Sequence, residues 1–282
     1  NTTLDSTNSN ASPSGASVLI AGGVALNNHT LITKTGSAAT EFAGDTVIEN
    51  GTFQVEEGGL DVGVGNTSAN VTFVQNTTIT IAPGGGLNVG NGSSLSAGNN
   101  TLTLSIDQLN VSATAGTITG SAITIVPTTV GRTISVGAAT GSGLVISQNA
   151  YAKLQSANVT LGGAGYNGTI TVEDLLAGNG RLNLIANGTG GAVVIDGLTL
   201  NAPSASGVSL SVQGSGATTA LNGTITSANA VVIDDAVVLD LGDATIDTSA
   251  TGANVTITGG NAGIYSTLGK TNSLTVTAGT GS

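Results

Sequence analysis

The chain has 282 residues, 44 of them glycine, with no cysteine, methionine or tryptophan and only 2% aromatic residues. Charged residues make up 7%, yet the sum is −11; the five bases (Lys34, Arg132, Lys153, Arg181 and Lys270) are scattered and exclude a phosphate-neutralising nucleic-acid surface or a basic membrane patch. The lack of cysteine excludes a disulfide framework, and so small an aromatic content fits a narrow stacked interior better than a globular core.

Residues 1–17 are rich in Ser, Asn and Thr and contain Pro13, the composition of a polar tail. Such a segment, when ordered, either pairs along the edge of its own fold or docks as an added strand on a neighbouring molecule. Within the sequence no basic stretch followed by an apolar run reads as an export segment. The apolar stretch 18–26 is broken by Gly22 and Gly23 and is far shorter than the ~20 residues of a membrane helix. The chain therefore reads as a processed or excised extracellular piece.

From Val18 onward, short alternating runs recur between Gly, Asn and Ser corners. They include Thr46-Val47-Ile48, Thr52-Phe53-Gln54-Val55, Val71-Thr72-Phe73, Thr78-Ile79-Thr80-Ile81, Leu102-Thr103-Leu104 and Ile123-Thr124-Ile125. Beyond the middle of the chain come Leu182-Asn183-Leu184, Val193-Val194-Ile195, Val208 to Val212, Val237 to Leu241, Val255-Thr256-Ile257 and Leu274-Thr275-Val276. Strands of this length cannot build a core alone, so each must stack on its neighbours in sequence. Residues 18–282 are expected to form a single all-β domain, a β-solenoid of about a dozen coils if each coil takes ~20–24 residues. The one helical signal is residues 148–156, read as a corner insertion of a turn or two. No capping segment is evident at either end of the chain, so the ends are expected to be cut from a longer protein or to meet those of neighbouring copies.

The stretch 131–172 carries Gly131-Arg132-Thr133-Ile134, Gly141-Ser142-Gly143-Leu144, Val159-Thr160-Leu161-Gly162 and Gly168-Thr169-Ile170-Thr171-Val172. It resembles the repeat of secreted exoproteins of the filamentous-haemagglutinin type. Leu31 to Gly36, followed by Gly44 to Val55, is similar to the passenger repeat of autotransporters. Both resemblances imply a right-handed parallel β-helix that is extracellular, most often an adhesin or surface fibre. Together they span roughly a quarter of the chain.

Reactive chemistry is sparse. The single histidine, His29, falls in the stretch Asn27-Asn28-His29-Thr30, read as a loop, and no Gly-x-Ser-x-Gly elbow occurs. His/Cys metal sites are excluded by count. The densest acids are Asp234, Asp235, Asp240, Asp243 and Asp247, with Asp196 earlier and no base between Arg181 and Lys270. They read as solubilising corner charges, with a Ca²⁺ site of carboxylate oxygens as the alternative. Glu56-Glu57 and Glu173-Asp174 read the same way. Tyr151, Tyr166 and Tyr265 lie in turn-like settings where a ring could stack on a sugar, whereas Phe42, Phe53 and Phe73 read as interior packing.

Asn-x-Ser/Thr occurs at Asn1, Asn10, Asn28, Asn50, Asn66, Asn70, Asn76, Asn91, Asn99, Asn110, Asn158, Asn167, Asn187, Asn222 and Asn254. These are either glycan acceptors or simply favoured corners of a solenoid. The sequence thus predicts a non-catalytic, extracellular or cell-surface structural protein with no catalytic, cofactor or metal residues. It would be a filament subunit joined head to tail or the stalk of a large adhesin. Its partners would be copies of itself or a cell-surface receptor, with N-linked glycans and without nucleic acid or membrane insertion. The alternative is a β-helix that binds or cleaves carbohydrate.

Overall fold

The computed structural model describes residues 2–5, 18–20, 22–64, 68–178, 180–201, 204, 206–259 and 263–279. The chain is all-β, with parallel strands stacked as a β-solenoid of about ten coils. It divides into two compact units, residues 1–129 with 153–156, and residues 130–152 with 157–282.

Each unit has three rows of parallel strands. In the first unit one row runs Thr2–Asp5, 31–34, 53–55, Thr77–Ile81, Thr101–Ser105 and Ala122–Val126. A second runs Val18–Ile20, 40–42, 60–62, Gly86–Val89 and Gln108–Val111. The third runs 24–25, 46–48, Asn70–Phe73, Ser94–Ser96, Ile118–Thr119 and Leu154–Gln155. The tail residues Thr2–Asp5 are therefore a rung on their own chain, in register with Leu31 to Lys34; residues 6–17 lie outside the described residues.

Alternation fixes the interior. Phe53, Ile79 and Leu104 fall in one inward column of the first row, with Val55 and Ile81 in the next, and all are fully buried. Their neighbours Gln54, Thr80 and Thr103 point outward, as a period of two requires. Phe42, Phe53 and Phe73 are interior, and the rings of Phe42 and Phe53 meet at 5.5 Å with a 46° tilt, an edge-inclined geometry favoured by the ring quadrupoles.

The second unit repeats the plan. Its rows are Asn158–Gly163, Arg181–Ala186, 210–213, 231–234 and Val255–Ile257; Ile134–Gly137, 169–173, 192–196, 218–222, 236–238 and Ile264–Ser266; and 175–177, 198–200, 225–227, Ala244–Asp247 and Leu274–Thr277. Corner loops vary in length, so the register between successive coils is irregular. Leu102 stacks on Ile123, 21 residues later, but Ile134 stacks on Ile170, 36 residues later. This long coil, together with wider spacings such as the 26 residues from Phe53 to Ile79, leaves fewer coils than the dozen expected.

The long coil falls within residues 131–172. Ile134–Gly137 pairs on its other side with Leu144–Ser147 after only six intervening residues. The turn is tight enough to need Gly143, where an added Cβ would lie 2.1 Å from Thr133 Oγ1 and 2.2 Å from the Thr133 carbonyl. The helix Gln148–Ala152 follows, shorter than the 148–156 expected. Gln148 docks it like a strand edge: Nε2 donates to Leu176 O at 2.8 Å and Oε1 accepts from Leu176 N at 2.9 Å.

Candidate functional site

Outward polar side chains in both units face the same chemical problem. Neighbouring coils lie ~4.7–4.9 Å apart, so a carboxylate or amide in register with a donor one coil away can reach it directly. In the first unit Asn88 Nδ2 donates to Asp61 Oδ1 at 2.6 Å and Asn110 Nδ2 donates to Asn88 Oδ1 at 2.7 Å, linking three coils. A parallel chain runs from Asp45, whose Oδ1 accepts from Asn70 N and Nδ2 at 3.1 and 2.9 Å, to Ser94, whose hydroxyl donates to Asn70 Oδ1 at 2.6 Å. Asp107 is fully buried; it accepts from Gly84 N at 2.7 Å and Thr129 N at 2.9 Å, and from the Thr129 hydroxyl. Such charge-assisted bonds are the stronger class and satisfy the buried carboxylate.

The acids of the second unit, expected to solubilise corners or to gather round a cation, each accept a hydrogen bond, and Asp234 and Asp243 are also exposed to solvent. Asp196 accepts from Asn222 Nδ2 at 2.8 Å, Asp234 from the Thr258 hydroxyl at 2.7 Å, and Asp240 from the Thr267 hydroxyl at 2.5 Å. Asp243 accepts from Ser273 N at 2.7 Å and its hydroxyl at 3.0 Å, and these bonds, the backbone one first, hold its carboxyl below the usual carboxylate range. Asp247 is lowered likewise by Ser249. Asp235 differs. It is buried, accepts from Thr219 Oγ1 at 3.0 Å and from Ala236 N at 2.9 Å, and desolvation pushes its carboxyl up. Among the described residues no group of three or more His, Asp or Glu side chains is placed to hold a metal ion.

Three of the five bases also bind the coil framework. Lys153 Nζ donates to Ala115 O at 3.0 Å, Arg132 donates to Gly143 O at 3.3 Å, and Lys270 donates to Asp240 O at 2.7 Å with its carboxylate 3.8 Å away. His29 is exposed and lies within the strand Val24–Phe42 rather than in a loop; the register shift between Ala25 and His29 absorbs the corner.

Two of the three tyrosines are not available to a sugar. Tyr166 is buried and its hydroxyl donates to Arg132 O at 2.6 Å. Tyr151 is fully buried, with no hydrogen-bond partner for its hydroxyl. Desolvation raises both phenols above their usual value. Their turn-like sequence setting is a helix and a coil corner packed inward. Tyr265 alone is exposed.

One open groove of about 600 Å³ lies on the first unit, lined by Glu56, Glu57, Pro83, Asn88 and Gln108 over the glycine corners 58–59 and 84–86. The coils approach closely there: a Cβ on Gly85 would stand 2.5 Å from Gly58 O. Gln108 Nε2 is bonded to Gly84 O at 3.0 Å and Asn88 belongs to the Asp61 chain. The glycines are thus explained by coil stacking.

The coil ties were hidden from the sequence because their partners are separated by 16 to 38 residues with no constant period. Acids and asparagines at outward positions of successive runs are the signal that an alignment of the coils would have shown. No helix among the described residues is long and apolar enough to cross a membrane. Compared with known proteins, the chain matches no family model, no curated relative and no solved structure.

Proposed function

We propose that the protein is a non-catalytic, extracellular structural β-solenoid. It acts as a stiff, protease-resistant element either of a surface filament built head to tail or of the stalk of a larger adhesin. The observation that carries this reading is the use of the outward acids and amides as bonds between coils, as in Asp61–Asn88–Asn110. Asp45, Asp61, Asp196, Asp234, Asp240 and Asp243 likewise accept hydrogen bonds from the next coil, which supports a structural use of these carboxylates. The resemblance of residues 131–172 to haemagglutinin-type repeats supports the surface location.

The filament version draws on the last described rung, where Ile264, Tyr265 and Val276 are exposed although their counterparts one coil earlier, Val237, Val238 and Ile246, are buried. Further coils would cover them, from a second copy in the filament or from a longer chain in the stalk. The carbohydrate-binding alternative has the groove beside Glu56 and Glu57 in its favour, but no aromatic platform accompanies it.

Negative-stain electron microscopy of the purified chain over a range of concentrations, with and without residues 1–17, separates these versions. Uniform fibres that lengthen with concentration and vanish on truncation support the filament held by its N-terminal segment. Single molecules at every concentration leave the stalk. Release of new sugar ends from a panel of polysaccharides would overturn both.

A further inference from the structure

Nine asparagines of the Asn-x-Ser/Thr sites, all with described side chains, fall into two structural groups. In the first, the side-chain amide is part of the bonding between coils. Asn70, Asn110 and Asn222 donate through Nδ2 to Asp45, Asn88 and Asp196. Asn76, Asn91 and Asn187 accept through Oδ1 from groups one coil away. At Asn91 the hydroxyl of the site is also withdrawn, since Ser93 is fully buried and accepts from Ala69 N.

In the second group are Asn99, Asn167 and Asn254. All three are exposed and lie in connections just ahead of the strands Thr101–Ser105, Thr169–Ala177 and Val255–Ile257. Their side chains make no hydrogen bond to a described residue. The hydroxyl-bearing residues Thr101 and Thr256 are exposed and Thr169 is half-buried.

We propose that the protein carries N-linked glycans at Asn99, Asn167 and Asn254, and that the bonded asparagines are coil ties that stay unmodified. The inference rests on the reading of the chain as an exported surface protein. The reaction is transfer of a glycan from a lipid phosphate donor by a cellular transferase. Asparagine Nδ2 attacks the anomeric carbon, the N–C bond forms as the C–O bond to phosphate breaks, the lipid phosphate leaves with the electron pair, and the amide proton passes to base. A sugar ring on Asn70, Asn110 or Asn222 would replace a hydrogen on a nitrogen aimed at the adjacent coil, and the ~4.7–4.9 Å between coils is too narrow for one. On the second group the glycan extends into solvent and shields polar corners.

The test is glycopeptide mass spectrometry of the protein isolated from its own cells, with the fraction of recovery recorded. Glycan on the peptides holding Asn99, Asn167 and Asn254, and none on those holding Asn70, Asn110 and Asn222, is the expected result. Glycan on the bonded group overturns the division. An unmodified chain recovered from the cell surface overturns the glycans but leaves the surface reading; an unmodified chain recovered only from the cytoplasm overturns both. As a second measure, Asn99→Gln should remove the mass of one glycan without moving Tm, whereas Asn110→Ala should lower Tm by about 2 °C, the shift of a ~1 kcal/mol bond in a chain of this size.

Discussion

The regular coils of the first unit and the long coil of the second close the same kind of three-row interior by different means. Around Thr77–Ile81 and Thr101–Ser105, side chains alternate in and out, corners are short, and coil is tied to coil by outward carboxylates and amides. Between Ile134 and Ile170 the chain inserts a short extra strand and a helix. That insertion is secured by close backbone approach at Gly143, by the Gln148 clamp on Leu176, and by two inward tyrosines. Repetition lets weak outward bonds recur at each step, whereas a single insertion must be fixed by packing.

Substitutions can break that contrast, beginning with the interior both regions share. Leu104→Ala removes a fully buried side chain from a stacked column and should cost about 2–5 kcal/mol, read as a lowered denaturant midpoint. In the long coil Gly143→Ala must displace the Thr133 backbone and should cost about 1–3 kcal/mol, while alanine at the exposed Gly98 turn meets no atom and carries only its backbone strain. Equal losses at the two glycines would dissolve the distinction between packed insertion and open corner.

The tyrosines sharpen it further. Tyr166→Phe leaves the Arg132 carbonyl without its donor and should destabilise by about 1 kcal/mol. Tyr151→Phe deletes a buried hydroxyl that has no partner, so thermal melting should be unchanged or raised. The reverse order would mean that the helix insertion sits differently against the core.

The smallest effects are in pH dependence. Burial raises the folded-state pKa of Asp235, so its contribution is fully present below the unfolded value of about 3.9 and is lost as pH rises through the folded value. Asp235→Asn should therefore raise Tm at neutral pH and remove the decline between the unfolded and folded values. Asp243 is lowered; its contribution is present above the unfolded value and is lost as pH falls through the folded one. Asp243→Asn should change Tm little in acid and lower it slightly at neutral pH.

Much of the architecture was legible because alternation and corner residues are local. Phe53 and Ile79 declared the inward column, and Gly143 marked a tight turn. What was not legible depends on which coil lies over which. Asp61 and Asn88 are ordinary polar residues until register places them together. Tyr151 and Tyr166, set among Gly, Asn and Ala, looked like exposed rings because nothing local says that the long coil folds inward. The five acids from Asp234 to Asp247 looked like a cluster, but coil stacking sends Asp234, Asp235, Asp240 and Asp243 to separate partners on other coils, and Asp247 bonds Ser249 in its own corner.

Native-state amide hydrogen exchange on the intact chain tests the central claim most directly, since a structural solenoid works through continuous backbone ladders. The slowest exchange is expected at 79–81, 102–104, 182–184 and 193–195, with faster exchange at Val255–Ile257 and Leu274–Thr277, whose rung is less covered. Exchange in the inner rungs as fast as in the exposed turns would contradict it.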